Sequence, residues 1–112
     1  MLKMSMIGRL GADAELKKVE NSRFIAMSVV EVTTDKDRQG QWIKATMSVK
    51  EDKDMSNFLQ YLKKGKDLYL EGTPHVRAYL DKDGKPQCEL CMYVHTIQLI
   101  GRKSTSETET EK

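Results

Sequence analysis

The run Arg23-Phe24-Ile25-Ala26-Met27-Ser28-Val29-Val30-Glu31-Val32-Thr33 constrains this chain more than any other part of it. It is dense in β-branched residues, which pack well on a pleated surface and lose side-chain freedom in a helix. A polar loop, Asp35 to Gly40, follows it, and Gln41 to Val49 then alternates as a half-buried strand should. The two runs predict a β-hairpin, so the fold has to be organised around a sheet.

The flanking segments extend that reading. Met4 to Leu10 is a short apolar run ended by Gly11 and predicts a strand. Lys66 to Tyr79 predicts another, with Leu68 and Leu70 on one face and Tyr69 and Glu71 on the other. Pro74 within it predicts a bend or a sheet edge, because proline has no N–H to give to a ladder. Asp81 to Lys85 predicts a turn built on Asp83-Gly84, and Pro86 to Gly101 the last strand.

One helix interrupts the strands. Asp54 or Ser56 is its candidate cap, and Met55, Phe58, Leu59 and Leu62 recur at helical spacing. Lys63 and Lys64 fall in its last turn and Gly65 supplies a left-handed stop. The order strand, strand, strand, helix, strand, strand predicts an all-β domain. It is the order of a five-stranded OB-fold Greek-key barrel with one helix between strands 3 and 4. Residues 1–101 hold this domain. Residues 102–112 contain no apolar residue and are expected to be a short disordered tail.

Charge and cysteines narrow the function classes. The chain has 19 basic and 17 acidic residues, a net charge of +2. That is weak for a nucleic-acid binder, but binding depends on how charge is distributed over faces. No run approaches the roughly 20 apolar residues that span a bilayer. The N-terminus lacks the apolar core and cleavage site of a signal peptide, so no membrane association and a cytoplasmic location are expected. Cys88 and Cys91 have metal-like spacing but no second cysteine pair, and on a strand residues three apart face opposite ways. They read as two reduced structural cysteines, with no metal and no cofactor. No Gly-rich phosphate loop, His-Glu metal motif or nucleophile signature is present, and an enzyme is not expected.

Five motifs in register resemble the bacterial single-stranded DNA-binding protein family. Met6-Ile7-Gly8-Arg9-Leu10-Gly11-Ala12-Asp13-Ala14-Glu15-Leu16 resembles that family's opening. Phe24 to Glu31 and Trp42 to Lys50 are similar to its second and third strands. Tyr61-Leu62-Lys63-Lys64-Gly65-Lys66-Asp67-Leu68-Tyr69-Leu70-Glu71-Gly72 is similar to its helix-to-strand segment, and Tyr79 to Lys85 to its final turn. The resemblance covers residues 1 to 101. It implies sequence-tolerant binding of single-stranded DNA, in which aromatic rings stack on unpaired bases while Lys and Arg track phosphates. It also implies a homo-oligomer, a tetramer or a dimer, with Leu2 to Leu10 as the candidate edge for pairing between subunits.

Carried over residue by residue, the resemblance assigns Trp42 and Tyr79 to stacking. It assigns Lys44, Lys50, Lys64 and Arg77 to phosphates, and Arg9, standing where the family has asparagine, as an added phosphate contact. Two stacking positions are not kept: a serine, Ser48, and an acid, Asp35, stand near them. The flanks of Trp42, Gln41 and Ile43, leave its facing open. Tyr69 and Tyr93 read as packing or interface residues, His75 and His95 as ordinary strand residues. The tail, ending Glu107-Thr108-Glu109-Thr110-Glu111-Lys112, lacks the family's acidic Pro-Phe tip, so recruitment of repair and replication proteins is not expected. The second expectation is an OB-type protein-interaction module with lost or weak nucleic-acid binding.

Overall fold

The structure, a computed structural model, describes residues 1–50 and 56–101. Its elements are β1 (Met4–Leu10), β2 (Glu15–Val19), β3 (Ser22–Glu31), β4 (Trp42–Val49), α1 (Ser56–Leu59), β5 (Asp67–Leu80) and β6 (Pro86–Leu99). All strands join one sheet in the order β1-β5-β6-β4-β3-β2, and β1 also pairs with β3. That extra pairing, Gly8 to Leu10 against Val29 to Glu31, closes β1, β5, β6, β4 and β3 into a ring. Every pairing is antiparallel except β4 with β6. Five strands closed in this way make the OB barrel.

β2 lies outside the ring, as a hairpin arm on β3, and is a strand the sequence reading leaves out. Glu15-Leu16-Lys17-Lys18-Val19 is exposed at all five positions. A strand that buries neither face carries no hydrophobic alternation, so its sequence gives no period-two signal. Its turn into β3 holds Glu20 at φ 53, where a non-glycine residue is strained.

The core is the inside of the barrel. Leu10, Ile25, Val29, Leu62, Leu68, Leu70 and Met92 are almost completely buried, and Met27, Ile43, Ala45, Val49 and Val94 join them. Each of the large aliphatic side chains contributes roughly 1.5–3 kcal/mol relative to exposure. The predicted division of β5 is observed: Leu68 and Leu70 share one face, which is the buried one, and Tyr69 and Glu71 lie partly covered on the other.

The helix stops earlier than expected. It ends at Leu59, and tight turns from Tyr61 N–H to the Phe58 carbonyl and from Leu62 N–H to the Leu59 carbonyl carry the chain onward. Tertiary partners compete for the groups a longer helix would use. Leu62 plugs the barrel and its carbonyl accepts from Ala14 N–H at 2.9 Å, while Lys64 N–H donates to the Asp13 carboxylate at 2.8 Å. Lys63 and Lys64 therefore lie beyond the helix rather than in its last turn. Gly65, at φ 91, does supply the left-handed residue. Asp54, Met55 and the tail 102–112 lie outside the described residues.

Pro74 sits within β5 without ending it. β5 pairs with β1 only as far as Gly72, so beyond that point one side of the strand has no described strand beside it, and proline is tolerated there. The irregularity in the ladder is instead a register shift between Glu71 and Gly72. Past it, β6 stays paired with β4 as far as Leu90, and from Arg77 and Glu89 onward β5 and β6 continue as a two-stranded arm to the turn at 81–85. There the Asp81 carboxylate accepts from the N–H groups of Asp83 and Lys85, and Gly84 takes φ 78.

Candidate functional site

Alternation along β4 sends Ile43, Ala45 and Val49 into the core and leaves Trp42, Lys44 and Ser48 exposed. Trp42 therefore faces out, 54% exposed, which its flanking residues alone do not reveal. β3 behaves likewise: Ile25, Met27 and Val29 are buried, and the alternate residues Phe24, Ala26 and Ser28 share the outer face with Trp42 and Lys44.

Opposed residues of paired strands lie on one face, so the register reads as rows across the sheet. One row runs Ser28, Lys44, Cys91, His75, and the next runs Ala26, Thr46, Tyr93, Thr73. A third joins Lys17, Phe24 and Ser48. Arg77 and Glu89 oppose each other on the arm, with Tyr79 and Gln87 beyond them. A shallow groove of about 500 Å³ follows the first rows, lined by Lys44, His75, Arg77, Glu89, Cys91 and Tyr93 among others.

The structure gathers four of the seven candidate residues on the part of this face formed by β4, β5 and β6: Trp42, Lys44, Arg77 and Tyr79. Lys44 Nζ reaches the Ser28 hydroxyl at 3.1 Å and forms no ion pair among the described residues. Arg77 is already engaged. Its Nε donates to Glu89 at 2.9 Å and its guanidinium lies 5.0 Å from the centroid of the Tyr79 ring. The hydrogen bond to Glu89 holds the Arg77 pKa above its ordinary value.

The other three are placed differently. Arg9 opposes Val30, which in turn opposes Trp42, so it shares their face two strands away. Its guanidinium is held by both Asp67 oxygens, at 2.7 and 3.2 Å, and that hydrogen bonding raises its pKa. Lys50 lies one residue past the end of β4, and its carbonyl accepts from Arg23 at 2.8 Å. Lys64 is exposed beside Asp13, on the segment after α1. Asp35 builds the β3–β4 loop, where its side chain accepts from Asp37 N–H at 3.0 Å.

Three residues on the face were not singled out for binding in the sequence. Tyr93 is 55% exposed rather than packed, and its ring stacks on His75 with centroids 4.3 Å apart and planes 18° from parallel. Phe24 is half-buried opposite Ser48. Phe24 was legible from the alternation of its own strand. Tyr93 and His75 were not, because their meeting depends on the pairing of β5 with β6.

The cysteines divide as the strand spacing predicts. Cys88 is exposed, while Cys91 is buried beneath the groove, outside the core cluster. Burial, then the nearby Glu89 charge, pushes the Cys91 thiol pKa up, so the group stays protonated. Among the described residues, no helix is long and apolar enough to cross a membrane.

With this geometry in view, the chain was compared with known proteins. It matches the model of the single-strand binding protein family over residues 1–100. It is 31% identical over 106 residues to the single-stranded DNA-binding protein of Neisseria meningitidis serogroup B, covering 91% of this chain and 61% of that one. It is 27% identical over 112 residues to single-stranded DNA-binding protein 1 of Xylella fastidiosa, covering 90% of this chain and 78% of that one. The chain thus spans about three-fifths of the length of the Neisseria relative. Among solved structures it is similar to a mitochondrial single-stranded DNA binding protein of S. cerevisiae, with TM-score 0.64, 22% identity and coverage of 88% and 93%. It is also similar to a Plasmodium falciparum SSB in complex with single-stranded DNA, with TM-score 0.63, 18% identity and coverage of 90% and 96%. These two likenesses establish the fold.

Proposed function

The chain belongs to the single-strand binding protein family, and on that premise we propose that it binds single-stranded DNA without reading its sequence. The observation that carries this reading is the outer face of β4, where Trp42 and Lys44 stand exposed two residues apart beside the Arg77–Tyr79 arm. An exposed ring offers a surface to any base, because every base has a π-face, and an ammonium beside it that meets no carboxylate among the described residues is available to the phosphate. Trp42 and Tyr79 stack on bases. Lys44 and Lys50 take phosphates, with Lys64 at the margin. Arg77 and Arg9 contribute to the field while tied to Glu89 and Asp67. The work is done by binding rather than catalysis, in replication, repair, recombination or mobile-element transfer.

Residues 1–101 form the binding domain of this reading, which assembles as a homo-oligomer in the cytoplasm. Over Met4 to Met6, β1 pairs with β5 on one side and with no described strand on the other, and Leu2 and Ile7 expose apolar surface nearby. An unpaired edge with apolar flanks is a template for a second copy. Light scattering at micromolar concentration reports the assembly, and a monomer there refutes it.

Titration with oligo-dT at two salt concentrations tests the function. Trp42 is the only tryptophan, so its fluorescence reports directly on the site. Quenching that weakens steeply with salt supports the reading, since each phosphate contact releases counterions. A stable assembly that ignores DNA at low salt, and retains a protein partner instead, supports the protein-interaction module.

A further inference from the structure

We propose that Tyr93, backed by His75, and Phe24 form a second base-stacking site on this barrel, replacing the aromatic that Ser48 lacks. The inference rests on the DNA-binding reading above and goes beyond it in naming where the strand runs after Trp42.

The geometry is a depression next to the main groove, bounded by Phe24, Thr46, Ser48, Tyr93 and His95. Tyr93 lines both it and the groove that holds Lys44. One side of its ring rests on His75, which fixes the plane of an otherwise mobile exposed side chain. A stacking platform gains from such backing, because ordering a free side chain on binding costs affinity. The other residues open the site rather than fill it. Ser48, directly opposite Phe24, is too small to cover the phenyl ring.

Charge follows the same line. Lys44 lies one row before Tyr93, counted along the sheet, and Lys17 lies opposite Phe24 one row after it. The partner of Lys17 is Glu15, at 3.7 Å in an exposed pair that holds it weakly. A base on Tyr93 thus has a cation on either side for its phosphates. Tyr93 pairs with Thr46, four residues along β4 from Trp42, or about 13 Å. Bases stacked continuously stand 3.4 Å apart, so occupying both rings draws the strand out across the sheet, from Trp42 past Lys44 to Tyr93 and Phe24.

The ligand class is any single-stranded stretch long enough to cover both platforms, with no base preference. The test uses the full chain and oligo-dT carrying 5-iododeoxyuridine, which forms photoadducts with aromatic rings it stacks on. Adducts mapped by mass spectrometry to Trp42 and also to Tyr93 or Phe24 are expected. Tyr93→Ala should weaken oligo-dT binding by about 5- to 150-fold, the range for losing one stacked base. Tyr93→Phe should restore most of that loss, because stacking needs the ring and not the hydroxyl. If wild type binds, Trp42→Ala binds more weakly, and yet Tyr93→Ala binds like wild type with no adduct beyond Trp42, the second platform is wrong and the first stands. If wild type fails to bind at low salt, both fall. The adduct map on wild type decides the matter even if Tyr93→Ala does not fold.

Discussion

The indole of Trp42 rests on Gly11. A Cβ built at position 11 would stand 2.6 Å from both Cη2 and Cζ3 of the ring, closer than carbon atoms approach without something shifting. The glycine that ends β1 therefore also sets the plane of the exposed tryptophan two strands away.

Gly11→Ala should tilt or displace that ring without touching DNA itself. Its oligo-dT affinity should fall, by less than the roughly 1–3 kcal/mol expected for Trp42→Ala, and its tryptophan emission should shift in the free protein. Unchanged emission and unchanged affinity would show that Gly11 does not orient Trp42.

Lys44 and Arg9 should behave differently although both are cations on the same face. Among the described residues Lys44 bonds a neutral hydroxyl and no carboxylate, whereas Arg9 is bound by both oxygens of Asp67. Lys44→Ala should weaken binding equally for all sequences and lower the log–log salt slope by about one. Arg9→Ala should change the slope far less. Equal slopes for the two variants would contradict this ordering.

Acid should loosen the β3–β4 loop. Glu31 accepts from Arg38 at 3.0 and 2.8 Å and from Gln41 N–H at 3.1 Å. The hydrogen bond from Arg38, with that from Gln41 next, holds its pKa at about 2, below the ordinary 4.5. A carboxylate with a lowered folded pKa stabilises fully above its unfolded value, and that contribution is lost as pH falls from about 4.5 towards 2. Urea midpoints measured from pH 7 downward should decline through that window, and the decline should be shallower for Glu31→Gln. High salt should weaken the effect, because the pair is exposed.

Gly72→Ala should destabilise the barrel. At the register shift between β5 and β6, a Cβ on residue 72 would collide with the backbone carbonyl of Tyr93. Backbone cannot rotate aside as a side chain can, so a cost of about 1–3 kcal/mol is expected, read from the midpoint of chemical unfolding. A midpoint equal to wild type would mean the strands separate freely there.

Much of the barrel was legible along the chain. Five of its strands appear as alternating or β-branched runs, bounded where Gly11, Gly65 and Asp83-Gly84 stand. The outward facing of Phe24 follows from the buried Ile25, Met27 and Val29 beside it. β2 escaped because a strand exposed on both faces has no alternation to read. The end of the helix was placed too late because the groups after Leu59 bond to Asp13 and Ala14, some fifty residues earlier in the chain.

Local pattern thus determined the five barrel strands, their order and, where alternation is clean as at Leu68 and Leu70, which residues share a face, because alternation depends only on neighbours along the chain. Tertiary structure decided the site. The parallel register of β4 on β6 sets Lys44 beside Cys91 and Thr46 beside Tyr93, and the register of β6 on β5 brings Tyr93 to His75. It also decided which cations are engaged, since Arg9 meets Asp67 across 58 residues of chain. A face built from several strands exists only once the ladder is closed, because register is a property of strands in pairs and no single strand carries it.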